Sequence, residues 1–319
     1  MFNYQKHEIV SLARENGFKS ETLEKVLRLV DVLEFINTND DISMYLVLKG
    51  GTAINLAVFD LPRLSVDIDL DLSFNGSKEE MLEKRKEITM ILKRYMEING
   101  YIYSNESRNT HALDSFVFNY YNNFGNKDNL KIEINYMNRV HIYPLEKPNL
   151  KISFLRRISI LMLNKYELFG SKIKALLERC TIRDVYDVYY MINSKIFKES
   201  ELELVKKCTI FYMAIGATTN RTFKEVIDDF NMRMNIFFSN RIPQYLSATL
   251  RNIDNFNMES AAILVRDFIN SFLILTETEE KFLNEFYNKR YNPSLLFNDE
   301  IVKRISNHPM ALWKCMVNN

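Results

Sequence analysis

The sequence predicts an α+β protein, in which a mixed-sheet N-terminal lobe, residues 1–155, precedes an all-helical C-terminal lobe, residues 156–319. Two observations lead to this class. Short runs with the two-residue period of strands occur between residues 45 and 137, with helical periodicity before and among them. After residue 160 the strand patterns disappear and only the period of helices continues. Strands with helices in one part and helices alone in the other are typical of an α+β lobe joined to a helical lobe.

The first 40 residues are predicted to be helical. Apolar residues recur at helical spacing, and Ser20 is the expected N-cap of a helix over Glu21–Asn37. The period then changes, because the apolar run Tyr45–Leu48 ends near the glycine pair Gly50-Gly51. This order predicts a strand, a tight turn and a short helix over Thr52–Phe59.

Further runs complete the predicted elements. A charged helix is predicted over residues 78–99, and the C-terminal lobe begins with helices over Glu167–Arg179 and Arg183–Ile192. The predicted strands share alternation or a short apolar run and comprise Val66–Phe74, Tyr101–Ser104, Ser115–Tyr121, Leu130–Met137 and a candidate edge strand over Ile152–Leu155.

Composition excludes several classes of protein. No apolar run reaches the 18 or so residues that a membrane span requires, and the N-terminus lacks a signal-peptide pattern. The three cysteines are far apart and odd in number, so they suggest neither a disulfide framework nor a zinc site, and a reducing cytoplasm is the simplest expected location. Residues 1–150 carry 18 Lys+Arg against 22 Asp+Glu, whereas the rest of the chain has a positive excess. This asymmetry favours an anionic partner for the second lobe, with chance as the alternative.

The strand over Val66–Phe74 carries a pair of carboxylates. Residues two apart in a strand share a face, so Asp67 and Asp69 project side by side. Carboxylates in such a pair repel each other unless a cation neutralises them, and oxygen ligands favour a hard ion such as Mg²⁺. The glycine turn before this strand allows the backbone to approach a phosphate closely. The two features together predict a site for metal and phosphate.

These residues also carry a resemblance to a known family. The strings Leu48-Lys-Gly-Gly-Thr-Ala-Ile54 and Arg63-Leu-Ser-Val-Asp-Ile-Asp-Leu70 resemble the first motif of polymerase-β-like nucleotidyltransferases, in particular the AbiEii-type toxins, which are related to the MenT toxins. The resemblance implies a nucleotidyltransferase-like fold, a two-ion Mg²⁺ site and an NTP as substrate. It also implies an AbiEi-type antitoxin as partner, a role in abortive infection and phage defence, and an RNA acceptor, which in some relatives is the 3′ end of tRNA.

The resemblance assigns roles to individual residues. It implies that Gly50, Gly51, Thr52, Arg63 and Ser65 bind the nucleotide, and that Asp67 and Asp69 bind metal. The strand Lys131-Ile-Glu-Ile-Asn-Tyr136 is similar to the one that carries the third carboxylate of the family. Glu133 is therefore the candidate third metal ligand and activator of the attacking hydroxyl. An exposed strand residue without a catalytic role is the alternative for Glu133.

A second block resembles the same toxins. Lys172, Leu176 and Arg179 share one face of a predicted helix, and the string Arg183-Asp-Val-Tyr-Asp187 follows. The resemblance implies a catalytic role for Lys172 and Asp187, and nucleotide binding by Lys172 and Arg179. Cations on one helix face suit contact with a triphosphate or an RNA backbone. A structural network of salt bridges between two helices is the alternative.

The leading hypothesis is therefore a toxin that transfers a nucleoside monophosphate from an NTP to RNA. The residues leave two alternatives open: transfer to a protein or a small molecule, and a non-catalytic module that binds partners in a nucleotide-dependent way.

Overall fold

The computed structural model describes residues 2–154, 157–216, 221–238, 243–251 and 256–316. The chain divides into two compact units. Unit 1 comprises Met1–Val140, Leu145–Leu163 and Ala248–Asp254, and unit 2 comprises His141–Pro144, Asn164–Ser247 and Asn255–Asn319. Each unit therefore includes residues from both sides of position 155.

Unit 1 contains a mixed sheet, so the predicted fold class is confirmed. Its strands are β1 (Leu46–Lys49), β2 (Asp67–Leu72), β3 (Ile102–Tyr103), β4 (Arg108–Asn109), β5 (Leu113–Tyr121) and β6 (Lys127–Asn135). The order across the sheet is β1-β2-β6-β5-β3, and β4 also pairs with β5. β2 and β6 run parallel, whereas the other pairs are antiparallel.

Four helices and a π-helix complete the regular structure of unit 1 in its described residues. The helices are α1 (Lys6–Asn16), α2 (Ser20–Thr38), α3 (Gly50–Ala53) and α4 (Lys78–Ile98), and a π-helix over Ile54–Val58 directly continues α3. The N-cap of α2 is Lys19, which makes no side-chain capping bond, so the prediction of Ser20 as N-cap was wrong by one residue. The helix predicted to begin at Thr52 begins two residues earlier.

The edge of the sheet beside β1 differs from the prediction. The residues at 152–154 form no strand, and Leu155 lies outside the described residues. The chain bonds to β1 further along instead, because the Leu48 N–H donates to Leu161 O at 2.8 Å and the Leu163 N–H donates to Leu48 O at 3.1 Å. The apolar run at residues 152–155 therefore predicted a segment at the edge of the sheet in the right part of the chain, but the residues that bond to β1 lie further along.

The two faces of the central strands have different roles. Ile68, Leu70, Ile132 and Ile134 are fully buried, and each such side chain contributes about 1.5–3 kcal/mol of burial free energy. The residues that alternate with them on β6 are only partly buried. Because side chains alternate between faces, burial of the isoleucines directs the polar residues between them to the opposite face.

Unit 2 is helical in its described residues. Its α-helices are α5 (Lys165–Arg179), α6 (Ile182–Ser194), α7 (Glu199–Gly216), α8 (Phe223–Met234), α9 (Gln244–Ser247), α10 (Met258–Phe272), α11 (Glu277–Tyr287), α12 (Asp299–Ile305) and α13 (Pro309–Met316). Gly170 brings α5 close to α7, since a Cβ at this position would lie 2.5 Å from the Cβ of Cys208. Among the described residues, no helix combines the length and the hydropathy needed to cross a membrane.

Candidate active site

Two adjacent parallel strands bring the predicted carboxylates together. In the register of β2 and β6, Asp69 is the partner of Glu133 and Asp67 is the partner of Lys131. All four residues are partly exposed and alternate with buried apolar residues on the same strands. Parallel partners point to the same face. Asp67, Asp69 and Glu133 therefore share one face at the centre of the sheet.

The third aspartate of β2 has a partner of its own. Asp71 is buried, and its Oδ1 lies 2.5 Å from the Nζ atom of Lys49 at the end of β1. The sequence did not indicate the direction of the Lys49 side chain. In the structure this lysine neutralises the innermost carboxylate and leaves Asp67 and Asp69 as the more accessible pair.

The glycine turn lies directly against the carboxylate of Asp69. Gly50 has a φ of +69°, a left-handed conformation that residues with a Cβ rarely adopt. A Cβ added to Gly50 would overlap Asp69 Oδ2 and would lie 3.1 Å from its Cγ. The turn therefore requires glycine twice, for its backbone conformation and for the space that Asp69 occupies.

Gly50→Ala is expected to destabilise the fold by about 1–3 kcal/mol and to move the Asp69 carboxylate. Gly125→Ala is a matched control, because Gly125 also has a positive φ, of +86°, but a Cβ there would contact nothing within 4 Å. Both variants carry the backbone strain, and only the first disturbs Asp69. Thermal unfolding and nucleotidyl transfer should be measured on both. Equal transfer activities would contradict this role for Gly50.

Other residues of the first motif are buried beneath the turn and hold it in place through hydrogen bonds. Thr52 is fully buried, and its hydroxyl bonds to the Ser65 hydroxyl at 3.0 Å and donates to the carbonyl of Asp67. The Gly51 carbonyl accepts a hydrogen bond from Asn55 at 2.8 Å. Arg63 is also buried, and its Nη1 donates to Leu64 O at 3.1 Å. These contacts fix the chain just before Asp67, and nucleotide binding by these residues stays a prediction.

Glu133 has two neighbours that the sequence reading did not assign to the site. Its Oε1 accepts a hydrogen bond from Ser115 Oγ at 3.1 Å and lies 2.6 Å from Lys131 Nζ. Burial tends to lower the pKa of Lys131, but the bond to Glu133 and the negative charges of Glu133, Asp67 and Asp69 outweigh it and raise the pKa. Lys131 is two residues before Glu133, so strand alternation is a signal that could have identified it.

The donor set fits a hard divalent ion. Asp67, Asp69 and Glu133 offer only oxygen atoms, and Mg²⁺ is typically held by one or two carboxylates with water and substrate phosphate completing its shell. In the described part of the chain, no three His, Cys, Asp or Glu side chains are gathered closely enough to hold an ion by themselves. Asp67, Asp69 and Glu133 would supply part of the ligand set of such an ion, and water and substrate phosphate would supply the rest.

Unit 2 gathers the residues of the second block into a charged cluster. Lys172 is buried, and its Nζ lies 3.1 Å from Asp184 Oδ1 and 2.8 Å from Asp187 Oδ2. Arg179 binds both carboxylate oxygens of Asp184 at 2.8 Å, and Thr181 donates to the same carboxylate at 2.6 Å. A network of salt bridges between α5 and α6 is therefore present. The catalytic or binding roles of Lys172, Arg179 and Asp187 stay predictions.

The charge of Asp184 is strongly stabilised within this cluster. Burial raises the pKa of an aspartate, but the positive charges of Lys172 and Arg179 and the bond from Thr181 outweigh burial and hold the pKa of Asp184 well below its ordinary value. Asp184 is accordingly ionised in the folded protein. The Lys172 ammonium is thus held between two carboxylates.

Comparisons with known proteins agree with this geometry. Residues 36–258 match the family described as nucleotidyl transferase AbiEii toxin, type IV TA system. Among curated proteins, no sequence matches this chain. The structure is similar to MenT4, a nucleotidyltransferase toxin from Mycobacterium tuberculosis H37Rv, with 13% sequence identity, a TM-score of 0.62 and coverage of 97% of this chain and 99% of the other. The family match spans both the glycine turn with its carboxylate strands and the charged cluster of unit 2. The chain is therefore a nucleotidyltransferase and belongs to the AbiEii toxin family of type IV toxin–antitoxin systems.

Proposed function

We propose that this nucleotidyltransferase transfers a nucleoside monophosphate from an NTP to an RNA acceptor, the 3′ end of tRNA, in a Mg²⁺-dependent reaction. The proposal is supported mainly by the geometry of three carboxylates. Asp67, Asp69 and Glu133 lie on one face of two adjacent strands, and the Gly50 turn lies against Asp69. Nucleotidyltransferases generally combine an NTP with a divalent metal ion. The positive excess of residues 151–319 supports an anionic acceptor.

The carboxylates have distinct proposed roles. Asp67 and Asp69 would hold the divalent ions, and Glu133 would both contribute to that site and accept the proton of the attacking hydroxyl. Bound ions of this kind stabilise the attacking and leaving oxygens of an in-line displacement. The acceptor oxygen forms a bond to the α-phosphorus of the NTP while the bond to the β-phosphate oxygen breaks. The products are the extended RNA and pyrophosphate.

The remaining site residues are proposed to orient the nucleotide. The backbone N–H groups of Gly50, Gly51 and Thr52 suit the phosphates, because the glycines allow close approach. Arg63 and Ser65 are proposed to act in nucleotide binding by keeping this turn in place beside Asp67.

The cluster of unit 2 is proposed to act on the substrate as well. The Arg179 side chain is 60% exposed although it binds Asp184, so it can contact a phosphate without leaving the cluster. Lys172 and Asp187 keep their proposed catalytic role as the buried charges of the same cluster.

The toxin family implies a cognate antitoxin, and we propose an AbiEi-type protein as this partner. Abortive infection in defence against phages is the corresponding proposed biological role. Because NTPs and RNA are both found in the cytoplasm, the proposal implies that the protein acts there. Transfer to a protein or a small molecule is the second candidate, since the site geometry constrains the donor and the metal more than the acceptor.

The test is to sequence RNA 3′ ends from cells that produce the protein without an antitoxin. Wild-type protein is expected to arrest growth and to leave extra nucleotides on tRNA 3′ ends, whereas Asp67→Asn is expected to do neither. Growth arrest of equal strength with Asp67→Asn would contradict the catalytic account. Arrest that depends on Asp67 but leaves RNA unchanged would favour a protein or small-molecule acceptor instead.

A further inference from the structure

Lys131 on β6 lies beside the carboxylates at the centre of the sheet. Lys131 is the register partner of Asp67, and its Nζ lies 2.6 Å from Glu133 Oε1. The charges of Asp67 and Asp69 also act on this ammonium group. Lys131 therefore contacts Glu133 directly and stands opposite Asp67 on the same face of the sheet.

Other lysines on the same strands have different positions. Lys49 on β1 pairs with the buried Asp71, and Lys127 is exposed at the far end of β6 beside Tyr121. Lys49 is also the register partner of Asp69 and shares the face of the carboxylates, but its ammonium group is paired with Asp71. Lys131 differs from both lysines because its ammonium group contacts Glu133, one of the carboxylates that are proposed to hold metal.

The ion pair of Lys131 is one that can open. The Lys131 side chain is 39% exposed and that of Glu133 is 26% exposed, so water can replace either partner at low cost. Lys49 and Asp71, with 23% and 1% exposure, form a more deeply buried pair. Both Lys131 and Ser115 contact Oε1 of Glu133, so opening the ion pair removes the cation from this oxygen and leaves the bond from Ser115 in place.

We propose that Lys131 is a built-in counter-cation, which neutralises the carboxylate cluster until a divalent ion binds and which the ion must displace. The inference rests on the proposed function, because it uses the same three carboxylates as metal ligands. Lys131 and the ion compete for the same oxygen atom of Glu133, Oε1. The lysine therefore sets the metal affinity of the free enzyme and stabilises the fold before metal arrives.

The test is direct binding of Mn²⁺, followed by the electron paramagnetic resonance signal of the free ion at one fixed neutral pH. Lys131→Met is expected to tighten binding roughly fivefold, the equivalent of losing one partly exposed ion pair. Lys131→Arg keeps the positive charge and is expected to bind Mn²⁺ within about twofold of wild type. Lys127→Met removes a lysine from the same strand but not from the cluster, so its affinity is expected to match wild type.

Thermal unfolding gives a second readout that does not depend on activity. In the presence of EDTA, Lys131→Met is expected to unfold at a lower temperature than Lys127→Met, and added Mg²⁺ should raise its melting temperature more than that of wild type. Equal or weaker Mn²⁺ binding by Lys131→Met, with normal binding by wild type, would overturn the role of Lys131 alone. If neither wild type nor Lys131→Met binds Mn²⁺ better than Asp67→Asn/Asp69→Asn, the metal site itself is wrong and both proposals fail.

Discussion

Asp69→Asn is expected to slow nucleotidyl transfer roughly a thousandfold or more, the equivalent of about 4 kcal/mol of lost transition-state stabilisation. Asp69 is the central carboxylate, since it is the register partner of Glu133 and lies against the Gly50 turn. The amide has nearly the shape of the carboxylate but no negative charge for a divalent ion. The loss is therefore expected in the rate and not in the fold.

A matched control variant distinguishes loss of the catalytic site from damage to the sheet. Asp128 lies on β6 five residues before Glu133, and strand alternation puts it on the opposite face. Asp128→Asn is expected to keep most of the transfer activity, although it weakens a contact with Lys25. Single-turnover rates and melting temperatures should be compared for both variants. Similar rates for Asp69→Asn and wild type would contradict the assignment of Asp69.

Lys172→Met is expected to destabilise the protein by about 3–5 kcal/mol. The substitution removes the ammonium group that lies between Asp184 and Asp187, both of which are almost completely buried. Two buried carboxylates then lose the ammonium group that they share, although Arg179 still pairs with Asp184. Urea denaturation of wild type and variant measures this difference in the free energy of unfolding.

A compensated variant distinguishes structure from catalysis in the same cluster. In Lys172→Met/Asp184→Asn/Asp187→Asn the buried charges are removed together, and much of the lost stability is expected to return. If this variant folds but transfers no nucleotide, the cluster also has the proposed catalytic role. Transfer at the wild-type rate would show that Lys172 and Asp187 serve only the fold.

The local pattern of the carboxylate strand was readable from sequence because it depends on neighbouring residues. Alternation between buried and polar positions predicted a strand over Val66–Phe74, and the structure has β2 at Asp67–Leu72. The same rule separated Glu133 from its buried neighbours on β6. The fold class followed from similar local periods. Such patterns indicate which face of a strand a residue occupies, because burial of the apolar residues fixes the alternation.

Long-range pairing could not be derived from those patterns. The parallel register that makes Asp69 the partner of Glu133 joins residues that are far apart in the chain. The segment that bonds to the outer edge of β1 was missed for the same reason, because this pairing depends on backbone bonds of Leu48 to Leu161 and Leu163 rather than on hydrophobic sequence. The position of Ser115 opposite Glu133 likewise depended on the pairing of β5 with β6.

The direction of individual side chains was the second feature that the sequence could not predict. The helical spacing of Lys172 and Arg179 predicted a common face, and both residues bind Asp184. The spacing did not indicate that Lys172 is buried between two aspartates. Arg63 and Thr52 likewise turned out to be buried supports of the turn, because their contacts come from backbone atoms whose positions only the folded chain defines.

Catalysis of transfer to RNA by the sheet carboxylates is tested by incubating the purified protein with Mg²⁺, total tRNA and each α-³²P-labelled NTP in turn. Label is expected to enter tRNA from at least one NTP, to disappear when EDTA replaces Mg²⁺, and to be lost in Asp69→Asn. Asp128→Asn run in parallel should still label tRNA. Label that enters tRNA equally with Asp69→Asn, or that never enters tRNA with any NTP, would contradict the claim that these carboxylates catalyse transfer to RNA.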